Sequence, residues 1–184
     1  GGASAWHLLR GNAVPFFRKS FLLAFGLAII ITPMQIWLGD ASGKTVFAEQ
    51  PAKGAAIEGD WDTNPPGRAA DWDLLAWPDK EAQRNDWEIV IPGALSFLAT
   101  GTLDGQVKGL HDFAPEDQPP LLPLIFYAFR IMAGIGFALF FLMLWTGWAA
   151  IRRRLTPETI AQQKWLLWAW VASIPLGYIA VDMG

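Results

Sequence analysis

Residues 20–39 read SFLLAFGLAIIITPMQIWLG, from Ser20 to Gly39, and contain no charged side chain. A helix rises about 1.5 Å per residue, so a run of this length covers about 30 Å, the thickness of the hydrocarbon core of a bilayer. Arg18 and Lys19 precede the run directly. We therefore expect a transmembrane helix over 18–39.

Two further apolar runs predict two further membrane crossings. Residues 121–151 carry a single charge, Arg130, and the 21 uncharged residues after it match one crossing. Residues 165–184 begin with closely spaced tryptophans and have Tyr178 near their end, which is typical of helix ends at membrane interfaces. The expected fold is all-α, a polytopic transmembrane helical bundle fragment with an extracytoplasmic loop region.

The two ends of the chain have the character of interrupted helices. Residues 1–10 resemble the end of a preceding transmembrane helix, and the chain stops at Gly184 directly after an apolar run. We expect an internal fragment of a larger membrane protein, with 165–184 a truncated helix.

The charges are strongly segregated along the chain. The net charge of −3 conceals a segment, residues 40–120, that contains 15 of the 17 acidic but 6 of the 14 basic side chains. Basic clusters lie instead before the first span and in the link 152–164. Because positive loops stay in the cytoplasm, we expect this link to be cytoplasmic and residues 40–120, the acidic segment, to lie on the outer side.

Composition also excludes several classes. The chain has no cysteine, which excludes disulfides and thiolate metal sites. A pI near 5.3 argues against binding of nucleic acid, since no basic surface neutralises phosphates. The partner that the pattern does indicate is the lipid bilayer.

The side chains of Arg130 and Met132 can be interpreted in two ways. An arginine at this depth often extends to interfacial water, and a helical methionine is usually part of the core. Alternatively, a thioether is a soft axial ligand for haem iron, an arginine pairs with a propionate, and Gly134 and Gly136 let a flat macrocycle approach the helix.

Lys53 and Glu58 are the other candidate pair. On one helix they stand about 140° apart, so they do not form an i,i+4 ion pair but can approach two ends of a diol-like ligand. A solvated amphipathic helix explains the same spacing. His7 and His111, the only histidines, are interpreted as structural or solvated.

Several blocks, in order, resemble subunit I of the cytochrome bd-type quinol oxidases. The resemblance is to the type with a short quinol-binding loop, which includes cyanide-insensitive oxidases. The matching blocks are Gly39-Asp40, Gln50-x-x-Lys53-x-Ala-Ala-Ile-Glu58-x-x-Trp61-x-Thr63, Ile91-Pro-x-Ala-Leu95 with Ala99-Thr100, Phe129-Arg-Ile-Met132 and Lys164-Trp-Leu-Leu167.

The resemblance implies roles for five residues. Lys53 and Glu58 are implied in quinol binding and oxidation, within a periplasmic quinol-binding loop over 40–120. Arg130 and Met132 are implied to serve low-spin haem b, with Met132 as an iron ligand whose histidine partner lies upstream of this chain. Asp182 aligns with a glutamate associated with the high-spin haem b, and its shorter side chain leaves open a water-bridged or propionate-facing role.

The implied activity is that of a multi-pass terminal oxidase of the bacterial inner membrane. It would oxidise ubiquinol or menaquinol on the periplasmic side and pass electrons through haem b to a high-spin site that reduces oxygen to water. That site would contain high-spin haem b with haem d, or a haem b in its place, and subunit II would be a partner. The alternative is a non-enzymatic polytopic anchor or transporter segment with an acidic outer binding loop.

Overall fold

The computed structural model describes residues 1–184 and contains six α-helices and one two-stranded hairpin. The predicted all-α membrane fold is confirmed, with the hairpin as an addition. The elements in chain order are α1 (Gly2–Leu9), α2 (Val14–Glu49), α3 (Pro51–Glu58), β1 (Trp72–Asp79), β2 (Arg84–Ile91), α4 (Ala94–Thr100), α5 (Leu122–Ile151) and α6 (Lys164–Met183).

Three helices, α2, α5 and α6, are long and apolar enough to cross a membrane. Their most apolar stretches have mean hydropathies of 2.1, 2.0 and 1.5, and few side chains in those stretches are buried within the chain. Apolar side chains exposed along a helix of this length are stabilised by lipid. The three predicted spans are therefore present as helices, and α5 and α6 begin within one residue of the expected positions.

The first span is longer than the sequence predicted. We expected a helix over 18–39 followed by a loop, whereas α2 runs from Val14 to Glu49. No proline occurs after Pro33 until Pro51, and Lys44 pairs with Asp40 one turn earlier at 2.7 Å. The acidic segment consequently begins as helix, because the polar residues after Gly39 lower hydropathy but include no proline that would stop the helix.

The chain divides into two compact units, and residues 1–35 and 131–184 form the first. Its core packs α1 against α6, and a Cβ on Gly2 would lie 2.6 Å from the main-chain oxygen of Trp170, so the two backbones approach closely. The indole of Trp170 donates a hydrogen bond to Thr146 Oγ1 at 2.9 Å and packs edge-on against Phe21. The Trp170 indole and the buried Thr146 hydroxyl thus satisfy each other within this unit.

Residues 36–130 form the second unit, which contains α3, α4 and the hairpin. The strands β1 and β2 pair antiparallel, with Trp72 opposite Ile91 and Asp79 opposite Arg84. Gln83 closes the turn with a positive φ of 51°. The sequence analysis missed this hairpin because Pro78 interrupts β1, although Trp87, Ile89 and Ile91 alternate as in a strand.

Residues 89–100 form the end of β2, a turn and the short helix α4. Gly93 begins α4 with a φ of 71°, a conformation that favours glycine, and thereby separates strand from helix. Its buried side chains, with those of the neighbouring loop, form a small core of Ala70, Leu95, Ala99 and Val107.

Candidate functional site

The candidate site is built on α3, whose limits follow from two residues. Pro51 occupies the first turn, where its missing N–H is not needed, and Gly59 ends the helix with a φ of 70°. Ala55 and Ala56 are buried and let the helix pack closely. As the last helical residue, Glu58 is directed into the unit and is only 6% exposed.

Arg130, on α5, binds this buried carboxylate. Its Nη2 donates to Glu58 Oε2 at 2.8 Å, and the side chains are 8% and 7% exposed. The guanidinium also lies 4.3 Å from the ring centre of Phe126 and 5.5 Å from that of Trp72. A buried ion pair with aromatic neighbours is desolvated, so loss of either partner leaves an uncompensated charge.

Three other N–H groups of the guanidinium bind main-chain carbonyls. Nε donates to Leu74 at 3.1 Å, Nη1 to Ile57 at 3.3 Å and Nη2 also to Asp73 at 2.6 Å. Four bonds from five N–H groups leave one hydrogen on Nη1 for any further acceptor. Arg130 therefore joins α3, β1 and α5, and its main partner is Glu58.

Trp72 supplies the second donor to Glu58. Its indole Nε1 reaches Oε2 at 2.7 Å, so both side-chain donors bind the same carboxylate oxygen. Oε1 accepts no hydrogen bond from the chain, which leaves it as the oxygen that can bind an incoming hydroxyl.

Lys53 lies on α3 but not in this cluster. Its side chain is exposed and forms no ion pair, in agreement with the expectation that the two residues do not pair directly. The structure thus places one candidate on the surface of α3 and the other beneath it.

A polar cavity of about 640 Å³ opens beside the Glu58 cluster. We call it the acidic cavity, because five carboxylates are among its lining residues: Asp60, Asp62, Asp71, Asp73 and Glu88. Glu58 is not among the residues that line it.

Two of the lining carboxyl groups have strongly altered proton affinity. Burial raises the pKa of Asp60 to about 7, assisted by the negative charges of Asp73, Asp62 and Glu58 and opposed by a backbone N–H of Asp62. Burial likewise raises the pKa of Asp73 to about 7, assisted by Glu88 and Glu58 and opposed by Arg130 and by a hydrogen bond from Asn85. Both groups therefore exchange protons near neutral pH.

Asn85, on β2, organises the wall of this cavity. Its Nδ2 donates to Asp73 Oδ2 at 2.7 Å and to the carbonyl of Gly59 at 3.1 Å, and its Oδ1 accepts from Trp61 Nε1 at 3.0 Å. The hairpin is thereby attached to the end of α3, next to Glu58.

Met132 follows Arg130 by two residues on α5, and its side chain is half-buried. A Cβ built on Gly184 would lie 2.7 Å from its Sδ, whereas a Cβ on Gly134 or Gly136 would meet no atom within 4 Å. Gly136 follows Met132 by about one helical turn and leaves open space on the same helix face. A soft thioether with such space beside it fits a haem-iron ligand, and Met132 would hold the group.

The remaining candidates are placed as follows. Asp182 is exposed near the end of α6, the end that approaches Met132. His7 stacks on Phe17 at 4.1 Å, and His111 Nδ1 bonds Asp62 Oδ1 at 2.9 Å. Both histidines thus have structural contacts, as expected.

Four residues of the site were not predicted from the sequence: Asp60, Trp72, Asp73 and Asn85. In the sequence the acidic residues indicate only a segregated charge, and nothing local distinguishes Trp72 or Asn85. Trp72 and Arg130 are separated from Glu58 by 14 and 72 residues, so no local spacing connects them. The one local signal was the dense run Glu58-Gly-Asp-Trp-Asp62.

Comparison with known proteins gives the same family throughout. The family described as cytochrome bd terminal oxidase subunit I matches residues 1–184. The cytochrome bd-II ubiquinol oxidase subunit 1 of Escherichia coli is 29% identical over 247 residues, covering 98% of this chain and 46% of that protein. The cytochrome bd ubiquinol oxidase subunit 1 of Bacillus subtilis is 31% identical over 191 residues, covering 100% of this chain and 39% of that protein.

A solved structure has the same fold. The bd oxidase from Geobacillus thermodenitrificans superposes with a TM-score of 0.81 at 31% identity, covering 100% of this chain and 40% of that one. The chain therefore spans less than half the length of these relatives. The family match over the full chain, together with the shared fold, shows that the chain belongs to the cytochrome bd terminal oxidase subunit I family.

Proposed function

We propose that this chain is the quinol-oxidising part of subunit I of a cytochrome bd-type terminal oxidase. The observation that carries the proposal is the buried Glu58 carboxylate, fixed through Oε2 by Arg130 and Trp72. A carboxylate held in this way is a positioned base whose free Oε1 can accept the proton of a quinol hydroxyl.

Lys53 and Glu58 have complementary tasks in this proposal. The exposed ammonium of Lys53 attracts and orients one oxygen of the quinol from the surface of α3, and Glu58 accepts a proton from a hydroxyl. Trp72 and Arg130 are positioning residues, since they hold the carboxylate and do not contact the quinol. The family membership and the quinol oxidase names of the relatives support this assignment.

Met132 would hold a low-spin haem b through its thioether, and the single free N–H of Arg130 would be available to a propionate. When bound, the haem supplies a one-electron acceptor. Asp182 would face the high-spin haem, which in the complete subunit accompanies haem d or a haem b in its place. Subunit II and oxygen complete the proposed assembly.

The proposed location is the bacterial inner membrane, with residues 40–120 on the periplasmic side. The asymmetric basic clusters beside the three spans support this orientation. Quinol diffusing in the bilayer would then reach the acidic segment, and protons would be released on the outer side.

The test uses the complete oxidase and compares two electron donors. Glu58→Gln should lower quinol oxidation about 10²-fold, the usual effect of removing a general base, and Lys53→Ala should lower it through the KM for quinol. Both variants should retain oxidation of an artificial donor that reduces the haems directly. The matched controls are the exposed Glu116→Gln and Lys108→Ala.

Equal loss with both donors would place the defect elsewhere in the enzyme. Reduced-minus-oxidised spectra of the same membranes test the anchor or transporter alternative. A haem signal would exclude that alternative, and the absence of any haem signal would overturn the oxidase proposal.

A further inference from the structure

Asp60 and Asp73 connect the Glu58 cluster to the acidic cavity. Glu58 is buried and does not line the cavity, whereas both aspartates do. Asp60 follows Glu58 by two residues, directly after the sharp turn at Gly59. Asp73 lies at the start of β1 next to Trp72, the donor to Glu58.

Hydrogen bonds link Glu58 to Asp73 through Arg130, whereas Asp60 Oδ2 has no hydrogen-bond partner. Arg130 Nη2 donates both to Glu58 Oε2 and to the main-chain oxygen of Asp73. At the side chain of Asp73, Asn85 Nδ2 donates to Asp73 Oδ2 at 2.7 Å, and it also donates to Glu88 Oε2 at 3.3 Å. The network therefore reaches from the buried carboxylate to the wall of the cavity.

The aspartates are suited to exchanging protons rather than to holding a charge. Asp60 Oδ2 is buried and has no hydrogen-bond partner, so the ionised form of this carboxyl is poorly stabilised. The charged groups that act on it are Asp73, Asp62 and Glu58; those acting on Asp73 are Glu88, Glu58 and Arg130. Their pKa values of about 7 support exchange at ambient pH.

We propose that Asp60 and Asp73 form the route by which protons leave Glu58 and enter the acidic cavity. This inference rests on the proposed quinol oxidation. Oxidation of one quinol breaks two O–H bonds and releases two protons and two electrons. A bound haem would supply the one-electron acceptor, and each proton passes from quinol to Glu58, then to Asp60 or Asp73, then to water in the cavity.

Arg130 is not a carrier in this route. A guanidinium stays protonated in proteins, so Arg130 holds the Glu58 carboxylate and the main chain at Asp73 in place, and the route requires water to bridge the gaps between the carboxyl groups. The cavity is large enough for many such waters, since each needs about 30 Å³.

The experiment measures quinol oxidation by the complete oxidase carrying Asp60→Asn, Asp73→Asn or both. We expect the rate of each single variant to fall about 5-fold to 10-fold, below the effect of removing the base itself. The ratio of rates in H₂O and D₂O should increase, because proton release becomes rate-limiting, and oxidation of the artificial donor should be retained. Asp73→Glu, which keeps a carboxyl group, should restore most of the rate.

Asp71→Asn is the matched control. Asp71 lines the same cavity and is exposed, and it is not among the charged groups that act on Asp60 or Asp73, so its neutralisation should change neither the rate nor the isotope ratio. Asp60→Asn removes no hydrogen bond from Oδ2 and tests the route even if Asp73→Asn fails to assemble.

The outcomes separate the route from the proposed function. Normal quinol oxidation in Asp60→Asn and Asp73→Asn, with loss in Glu58→Gln, overturns the route and keeps the function. An unchanged isotope ratio, or equal loss with both donors, also overturns the route. Normal quinol oxidation in Glu58→Gln overturns the proposed function and the route with it.

Discussion

Arg130 Nη2 lies 2.8 Å from Glu58 Oε2, and both side chains are almost completely buried although 72 residues separate them in the chain. The pair joins the end of α3 to α5 at the edge of the membrane-spanning part of that helix. Because neither charge has access to bulk water, each depends on the other for stabilisation. The first two predictions follow from this dependence.

Arg130→Leu should destabilise the second unit by about 3–5 kcal/mol, the usual cost of leaving one member of a buried ion pair unpaired. Hydrogen exchange of α3 and β1 peptides in the purified oxidase measures the effect. The double variant Glu58→Leu/Arg130→Leu should be more stable than Arg130→Leu alone, since it buries no unpaired charge. Additive destabilisation by the two substitutions would contradict this account.

Trp72→Phe should have a smaller effect of about 1.5–3 kcal/mol, the value of a hydrogen bond to a charged group. The phenyl ring keeps the contact with the Arg130 guanidinium but removes the donor to Glu58. The same hydrogen-exchange measurement applies, with the exposed Trp87→Phe as control. Equal protection in the two variants would show that the bond to Glu58 contributes nothing.

Met132→Leu should abolish the low-spin haem b signal in reduced-minus-oxidised spectra while the protein still inserts. Leucine conserves volume but cannot ligate iron. Met143→Leu, on the same helix and packed against the core of the first unit, is the control and should retain the signal. A normal low-spin spectrum in Met132→Leu would mean that another residue is the ligand.

Asp182→Asn should change the high-spin haem signal and leave the low-spin signal intact. The motivating observations are its aligned position and its place at the end of α6 that approaches Met132. Spectra of the intact oxidase provide the measurement. If every haem signal is unchanged, Asp182 has no role at the haems.

The stability of the acidic segment should decrease as pH rises from about 4 to about 7. The pKa values of Asp60 and Asp73 rise from 3.8 to about 7 on folding, so within this range the folded state binds more protons than the unfolded state. The stabilisation that these two carboxyl groups contribute is therefore fully present at a pH below their unfolded pKa of 3.8. It is lost as the pH rises through their folded pKa of about 7.

Hydrogen exchange of the hairpin across this pH range, corrected for intrinsic exchange rates, measures that slope. The double variant Asp60→Asn/Asp73→Asn should flatten it, whereas the exposed Glu116→Gln should not. A stability that increases with pH would contradict the assigned proton affinities.

Local signals in the sequence predicted much of the fold. Runs such as residues 20–39 and 131–151 must form helices in a membrane, because only internal hydrogen bonding satisfies the backbone there. The helix α3 has a local signal too, since Pro51 suits a first helical turn and alanines follow it. The end of α2 after Gly39 was not predicted, because a hydropathy pattern does not detect a helix of polar residues. The hairpin was not predicted, because Pro78 interrupts the alternating pattern of β1.

For the candidate site, too, some features could be predicted from the sequence and others required the tertiary structure. The sequence by itself determined the candidates, Lys53, Glu58, Arg130 and Met132, because a residue's donor atoms and charge are intrinsic to it and the family resemblance marks these positions. Only the tertiary structure decided their partners: Arg130 binds Glu58, and Asp60 and Asp73 are half-buried beside a polar cavity. Burial and proximity arise from chain segments distant in sequence, and these two properties set proton affinity and the strength of an ion pair.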